Sequence, residues 1–191
     1  RVWDARHMVM PNGTGLMGNS SSTQSGVIVP DPSNKKKFYV FTADHGGAPN
    51  HNGLRYSVVD MTLNSGNGDV VTSNKNTLVF APCAERITAT KITSANGFWV
   101  VAQELGANKY RAYQVTSAGV ATTPTTTTIG PTPTGTSFLG YGYWPQTGYG
   151  NSTGFNGIYS GSDRPSTACG YTGNQAPSHQ YLLPGDIRTY G

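Results

Sequence analysis

The sequence is poor in charged residues, and it lacks the patterns that build long helices. Lysine, arginine, aspartate and glutamate together make up 12% of the 191 residues, whereas about a quarter is usual in globular domains. No window carries apolar residues at the i, i+3, i+4 and i+7 spacing of an amphipathic helix. No apolar run reaches the roughly 18 residues that a membrane span requires. The sequence therefore predicts few or no helices and no membrane span.

Cysteine is also scarce, since only Cys83 and Cys169 occur. In an extracellular chain two cysteines either form one disulfide or remain as two buried thiols, and both alternatives stay open here. Neither cysteine has a second cysteine or a histidine at ligand spacing, so the sequence predicts no zinc site.

The basic residues are scattered except for Lys35-Lys36-Lys37. We interpret that triplet as a solvated turn with positive charge beside a strand, and we predict no binding of nucleic acid.

In place of charge, the chain carries glycine, tyrosine, threonine, serine and asparagine, with 25 glycines and 11 tyrosines. This composition is typical of an extracellular protein with many turns. We predict an all-β fold of antiparallel sheets, arranged either as partial β-propeller-like blades or as a β-sandwich.

The clearest strands cover residues 37–44 and 54–62. The loop between them is full of turn formers, so the two strands are predicted to pair in antiparallel fashion. Val2 and Trp3 predict a strand over residues 1–7. Further strands are predicted at 26–30, 70–72, 77–80, 85–92, 98–104 and 110–116.

Part of this strand pattern occurs twice. The stretches KFYVFTAD and LRYSVVDMT line up with GFWVVAQE and KYRAYQVT, so that the strand from Phe38 corresponds to the strand from Phe98. The strand from Arg55 then corresponds to the strand from Tyr110. The spacing is close to the roughly 50 residues of a kelch-type propeller repeat. A generic antiparallel sandwich explains two copies almost as well.

Composition divides the chain into three parts. Residues 1–121 are predicted to form a blade-like antiparallel β region. Residues 122–136 are rich in threonine and proline, which indicates a connector or an edge strand. Residues 137–191 form a region rich in glycine and tyrosine, predicted to be β structure and a candidate to pack on the first region.

The last region contains the strongest candidate for a ligand-binding or assembly surface. Flat aromatic rings beside asparagine and glutamine suit the faces of sugars or another protein surface. The ordinary alternative is that half or more of these rings belong to a core. The candidate residues are Tyr141, Tyr143, Trp144, Tyr149, Phe155 and Tyr159.

Calcium is the one cofactor for which the sequence offers candidates, and they are weak. Asp60, Asn64 and Asp69 surround a turn and carry oxygen ligands, but the EF-hand pattern with its closing glutamate is missing. We therefore predict no cofactor, with calcium as the alternative.

Catalytic patterns are missing as well. The nine carboxylates are spread singly along the chain, and there is no Gly-x-Ser-x-Gly elbow. Asp44, His45 and His51 share one loop, but no helix fixes them as metal ligands. We predict no catalytic residues and no enzymatic activity.

Residues 2 to about 121 resemble the propeller-like region of large secreted surface proteins of gliding bacteria. Those proteins often carry PKD repeats and a C-terminal sorting domain for the type IX secretion route. The resemblance implies a bacterial cell-surface location and brings no catalytic residues. It rests on VWD with His7, on MPNGTGL at 10–16, on GNSSSTQSGVIVP at 18–30, on FYVFT at 38–42, on GLRYSVVDM at 53–61 and on WVV at 99–101.

Together these observations predict a secreted, non-catalytic surface or appendage protein that self-associates, for example as a filament, or mediates adhesion. The alternatives are a carbohydrate-binding module or adhesin and, with less support, a secreted glycan hydrolase. Expected partners are copies of the chain or other surface proteins, with glycans as a further candidate. Because the family has further blades on both sides, three arrangements stay open: a fragment, a self-closing sandwich, or a subunit whose sheet a neighbour completes.

Overall fold

Two antiparallel sheets account for the architecture. The computed structural model describes residues 1–20, 22, 24–45 and 52–129, and these form two five-stranded sheets. Sheet I contains β1 (Gly26–Asp31), β2 (Asn34–Ala43), β3 (Leu54–Asp60), β4 (Asp69–Val70) and β5 (Thr77–Phe80). Sheet II contains β6 (Cys83–Lys91), β7 (Phe98–Glu104), β8 (Lys109–Thr116), β9 (Gly119–Val120) and β10 (Thr125–Thr128). Helical structure in this part of the chain is confined to short 3-10 turns at Asn64–Gly66 and Thr72–Asn74. The predicted all-β class is confirmed.

The two sheets have the same strand order. In sheet I, β1, β2 and β3 follow one another, and β3 pairs with both β4 and β5. In sheet II, β6, β7 and β8 follow one another, and β8 pairs with both β9 and β10. The internal repeat in the sequence therefore has a counterpart in the topology.

The pairing registers correct one detail of that repeat. Arg55 pairs with the residue four positions after Phe38, and Arg111 pairs with the residue four positions after Phe98. Because Phe38 is equivalent to Phe98, Arg55 is therefore equivalent to Arg111. The sequence comparison had aligned Arg55 with Tyr110, one residue away. Loops of different length precede β3 and β8, so spacing along the chain could not set this register. The correction matters because a shift of one residue moves every side chain to the other face of a sheet.

The inner faces of the two sheets pack on each other and share one hydrophobic core. The rings of Phe80 and Tyr113 stack with their centroids 5.9 Å apart, and the two sheets meet where β6 contacts β1 and β2. Since both sheets contribute to it, the core joins them into one packed unit. Its buried residues are Val29, Phe41, Ala43, Leu54 and Phe80 from sheet I and Cys83, Ile87, Val100, Ala102, Tyr113 and Val115 at or within sheet II.

The predicted strand over residues 1–7 is wrong. Trp3 forms a single bridge with Val9, and the chain turns at His7, whose φ is 60°. The Asp4 carboxylate accepts hydrogen bonds from the backbone and guanidinium N–H groups of Arg6 and closes this turn. A side chain that bonds its own neighbouring backbone competes with strand pairing.

This N-terminal segment, residues 1–13, packs on the outer face of sheet I. A second apolar cluster forms there from Met10, Val59 and Val70, with Val2, Phe38, Val40 and Met61 beside it. The backbone N–H and the amide group of Asn12 donate to the Asp69 carboxylate at 2.8 and 2.6 Å. The segment is therefore tied to β4 by hydrogen bonds and to β3 by apolar packing.

Several boundaries differ from the predicted ones. β2 begins at Asn34, so Lys35 and Lys36 lie exposed within the strand rather than in a turn before it. Within the threonine- and proline-rich segment, Thr125–Thr128 form the exposed strand β10. Residues 130–136 and the region 137–191 lie outside the described residues. In the part of the chain that the structure describes, no helix has the length and apolar character to cross a bilayer.

Candidate functional site

Most of the predicted ligand-binding residues lie outside the described part of the chain. This applies to Cys169, to His51 and to the aromatic set Tyr141, Tyr143, Trp144, Tyr149, Phe155 and Tyr159. Cys83 is described, and its sulfur is buried between the sheets without a disulfide partner among the described residues. Burial raises the pKa of the Cys83 thiol, which makes it a poor nucleophile. Its pairing with Cys169 stays a prediction.

Two of the calcium candidates, Asp60 and Asp69, are direct partners across β3 and β4. Both oxygens of Asp69 accept hydrogen bonds, from Asn12 and from the backbone N–H of Val70. Burial acts to raise the pKa of the Asp69 carboxyl, but these hydrogen bonds outweigh it and the pKa lies below its ordinary value. Its negative charge is therefore used to anchor the N-terminal segment.

Asp60 is occupied in a similar way. One of its oxygens accepts from the hydroxyl and backbone N–H of Thr62, and the other lies 3.6 Å from Lys37 Nζ. Asn64 belongs to the 3-10 turn and accepts a backbone hydrogen bond from Asn67. Among the described residues, no group of three or more histidine, cysteine or acidic side chains is placed to hold a metal ion. Calcium binding at these three residues therefore keeps the status of a weak prediction.

A buried polar cluster lies at the start of β6. Cys83 pairs with Glu104 and Ile87 with Ala102, so the intervening residues of β6 form a bulge opposite Gln103. Bulges re-aim side chains, and they are common beside functional sites. This one buries two adjacent charged residues and a facing amide: Glu85 is 0% exposed, Arg86 4% and Gln103 2%.

The loop that follows β2 brings further polar groups to this cluster. His45 Nε2 lies 3.8 Å from the Glu85 carboxylate, and the Asp44 carboxylate accepts from the backbone N–H groups of His45 and Asn52. Burial acts to raise the pKa of the Asp44 carboxyl, but these hydrogen bonds outweigh it and the pKa lies below its ordinary value. Because Glu85 has no solvent access, we interpret the cluster as a structural tie between the two sheets.

The sequence did not predict this cluster. The alternation in residues 85–92 predicted that Glu85 and Arg86 belong to a half-buried strand that begins at Glu85. The strand instead begins at Cys83, and the bulge turns both charged side chains inward. The alternation of polar and apolar residues along a sequence does not reveal where a strand forms a bulge.

The outer face of sheet I forms an apolar groove. Its volume is about 500 Å³, and Val2, Trp3, Ile28, Phe38, Val40 and Met61 line it. Lys35 and Lys36 lie at its rim. A second depression of about 400 Å³ lies beside β1 and shares Val2, Ile28 and Val40 with the groove. The second depression is otherwise lined partly by polar residues such as Arg1, Asn19 and Thr42. We call the groove, with the shared residues Val2, Ile28 and Val40, the apolar outer face.

Exposed hydrophobic side chains are more frequent in sheet I and the segment before it than in sheet II. In the described part of the chain, eight large hydrophobic residues are exposed, and seven of them belong to sheet I, its turns or the segment before it. Ile28 at 64% exposed and Trp3 at 53% are the largest contributions from the groove itself. The seven are Trp3, Met8, Val9, Met17, Ile28, Leu63 and Leu78. Trp3 and Ile28 line the same groove, and clustered exposure marks interaction surfaces, whereas single exposed apolar residues do not.

A scan against protein-family models, a search of curated proteins and a search of solved structures each found no match to this chain.

Proposed function

We propose that this chain is a non-catalytic structural module of an extracellular surface or appendage protein and that it self-associates. The apolar outer face of sheet I carries the proposal, because the exposed side chains of Trp3 and Ile28 lie together in one apolar groove, and exposed apolar side chains grouped in this way mark interaction surfaces. The low charge content supports it, since few charges oppose contact between copies. The resemblance of residues 2–121 to bacterial surface proteins supports the cell-surface location.

The test is the mass of the chain in solution as a function of concentration. We expect light scattering after size exclusion to report a mass above the 20.2 kDa of one chain as the concentration rises. Ile28→Lys places a charge in the centre of the apolar outer face and should return the protein to the monomer. Thr126→Lys adds the same charge at an exposed position of β10 and should leave association unchanged.

Two results would count against the proposal. One is a monomer at every concentration for the unmodified chain. The other is an equal loss of association in Ile28→Lys and Thr126→Lys, since this would show that added charge alone is responsible.

Adhesion to glycans is a second proposal, which the aromatic-rich sequence of residues 137–191 favours. Rings of tyrosine and tryptophan bind the apolar faces of sugars. A glycan array should then show binding that Trp144→Ala abolishes and that Ile28→Lys does not. An array without binding would reject it.

A further inference from the structure

The strand β1 forms one border of sheet I, and one of its two edges is unpaired. β1 stands at the end of the strand order and pairs only with β2 among the described strands. A strand in this position presents N–H and C=O groups that can pair with a strand of another chain. The hydrogen bonds of the neighbouring strands decide which residues of β1 present these groups.

Two hydrogen bonds fix the alternation within sheet I. The backbone N–H of Met61 donates to the C=O of Lys36 at 2.8 Å. At the other end of the same strand pair, the N–H of Asp44 donates to the C=O of Gly53 at 3.3 Å. Both pairs continue the register of β2 with β3. Because hydrogen-bonded positions alternate along an antiparallel pair, the even-numbered residues of β2 bond to β3 and the odd-numbered residues bond to β1.

The same alternation assigns the backbone groups of β1. Val27 and Val29 lie opposite odd-numbered residues of β2, so they carry the hydrogen bonds to β2. Gly26, Ile28 and Pro30 alternate with them, and their backbone groups therefore point outward. Proline has no N–H to donate, and within sheets it is confined to such edge positions. Among the described residues, none forms a hydrogen bond with the outward backbone groups of Gly26 or Ile28.

This edge carries little of the protection that edge strands usually have. Charged side chains, prolines and bulges keep such edges from pairing. Residues 26–30 carry no charge, and the proline and the bulge both lie at one end of the strand, at Pro30 and Asp31. At the centre of the strand Ile28 is 64% exposed. The centre of β1 thus combines unpaired backbone groups with an exposed β-branched side chain, which suits a strand that pairs with another strand.

We propose that two copies of this chain join their sheets I through β1, in antiparallel fashion, across a twofold axis at Ile28. This rests on the proposed function and names the mode of contact around Ile28. Ile28 of one copy lies opposite Ile28 of the second copy, and Gly26 lies opposite Pro30. The joint makes one continuous sheet from two five-stranded ones.

The edge is self-complementary in this register. The two copies of Ile28 exchange N–H···O=C hydrogen bonds, and at each end the N–H of Gly26 donates to the C=O of Pro30. The missing N–H of Pro30 leaves only the C=O of Gly26 unpaired, at the ends of the joint where water reaches it. Moving the axis to Val27 places Ile28 opposite Gly26, which has no side chain to pack on it. The register centred on Ile28 therefore buries more apolar surface.

The joint needs neither face of sheet I to be uncovered. Ile28 pairs with Val40 and shares its face, so the two Ile28 side chains meet on the outer face, beside the N-terminal segment. Directly opposed β-branched side chains stabilise a strand pair. Lys35 and Lys36 follow the turn after β1, and antiparallel pairing carries these turns to opposite ends of the joint. The lysines of the two copies therefore stay apart.

The contact closes on itself. A contact between identical surfaces around a twofold axis is isologous and stops at two copies. It rests on a few backbone hydrogen bonds and one pair of apolar side chains, which is less than a standard protein interface provides. We therefore expect dimers as the concentration rises, and not at high dilution.

The experiment uses the full chain and removes one outward backbone donor at a time. Ile28→Pro keeps an apolar side chain and removes an N–H that does not bond to β2. Ile28→Val keeps that N–H together with a β-branched side chain. Thr126→Pro is the matched control on another edge. Because the N–H of Ile129 donates to the C=O of Asn108, the register of β10 with β8 turns the N–H of Thr126 outward by the same alternation. Circular dichroism and a thermal melt verify that each variant is folded.

We expect the mass of the unmodified chain in light scattering to approach twice the 20.2 kDa of one chain and not to exceed it. Ile28→Val and Thr126→Pro should dimerise as the unmodified chain does, whereas Ile28→Pro should stay a monomer. Amide hydrogen exchange of the unmodified chain is the second measurement, and it does not depend on any variant. Exchange at Gly26 and Ile28 should slow as the concentration rises, and exchange at Thr126 should not.

The failures are distinguishable. If folded Ile28→Pro dimerises as the unmodified chain does, the edge inference is wrong while self-association stands. The same conclusion follows if Thr126→Pro also loses the dimer, if the mass rises beyond two chains, or if exchange at Gly26 and Ile28 stays unchanged while the mass doubles. If the unmodified chain is a monomer at every concentration, both the inference and the proposed function are wrong.

Discussion

At the scale of single residues, Arg111 shows how charge and aromatic packing combine at the border of the core. Its guanidinium donates to Glu104 Oε2 at 2.7 and 3.2 Å, and it lies 4.9 Å from the centre of the Phe80 ring. The hydrogen bond from Arg111 lowers the pKa of the Glu104 carboxyl below its ordinary value. The two partners stand on neighbouring strands of one hairpin, and no sequence pattern predicted that they would pair.

The first prediction concerns the pH dependence of this pair. Because the pKa of Glu104 is lower in the folded state, its stabilising contribution is fully present above the unfolded pKa and is lost as the pH falls through the folded pKa. Glu104→Gln should lower the free energy of unfolding by about 0.5–1 kcal/mol near neutral pH, since both side chains are partly exposed and solvent screens the pair. Urea titrations at neutral and acidic pH measure this difference.

The control is Arg111→Met, alone and combined with Glu104→Gln. The double variant should lose little more stability than Arg111→Met alone, because the interaction with Glu104 is already gone. If the Glu104→Gln variant loses as much stability on acidification as the unmodified chain does, the prediction is contradicted.

At the scale of elements, the strands with dense β-branched and aromatic residues were predictable. β3, β7 and β8 lie within a few residues of their predicted bounds, because residues of this kind favour a pleated, half-buried surface. Two elements were not predictable. Trp3 led to the prediction of a strand, but the hydrogen bonds of the Asp4 side chain form a turn there. The burial of Glu85 could not be predicted, because it results from the bulge in β6.

The candidate site was only partly predictable from the sequence. The sequence predicted a ligand-binding or assembly surface at the aromatic residues between 141 and 159. The described part of the chain instead has an apolar groove on sheet I. A signal for this groove was present, because Phe38, Tyr39, Val40 and Phe41 are consecutive apolar residues in one strand. A strand with one face in water alternates polar and apolar residues, whereas an unbroken apolar run indicates two covered faces. The partner that covers the second face is not encoded in that pattern.

The second prediction concerns the tie between the N-terminal segment and β4. Asp69→Ala removes the acceptor of three hydrogen bonds, from Asn12 twice and from Val70 once. The free energy of unfolding should fall by about 1–3 kcal/mol, because buried donors lose their partner. Hydrogen exchange should accelerate at the amides of Val2 and Met10, which bond within this segment.

Asp60→Ala is the matched control, since Asp60 lies directly opposite Asp69 and its carboxylate bonds the local turn at Thr62. It should leave the exchange at Val2 and Met10 unchanged. Equal acceleration in both variants would show that the segment is not held by Asp69.

At the scale of the whole molecule, the shared core predicts that the two sheets unfold together. Phe41 is fully buried where the sheets meet, so Phe41→Ala should lower the free energy of unfolding by about 3–5 kcal/mol. Hydrogen exchange should accelerate in β7 as well as in β2, although the change lies in β2. A single transition in urea, followed by circular dichroism and fluorescence together, verifies cooperative unfolding.

Ile28→Ala serves as the control for that prediction, because Ile28 is exposed on the opposite face of sheet I. Its effect on the free energy of unfolding of the monomer should be within about 0.5 kcal/mol. Faster exchange confined to sheet I in Phe41→Ala would show that the sheets unfold as separate units.

The order of the strands has a consequence for how such a chain can change in length. Each sheet is one uninterrupted stretch of sequence, and among the described residues the chain passes from one sheet to the other once, between Phe80 and Cys83. A duplication or deletion whose ends fall at that crossing adds or removes a whole sheet and alters no strand pairing in the rest. The gene can therefore grow or shrink in steps of one sheet.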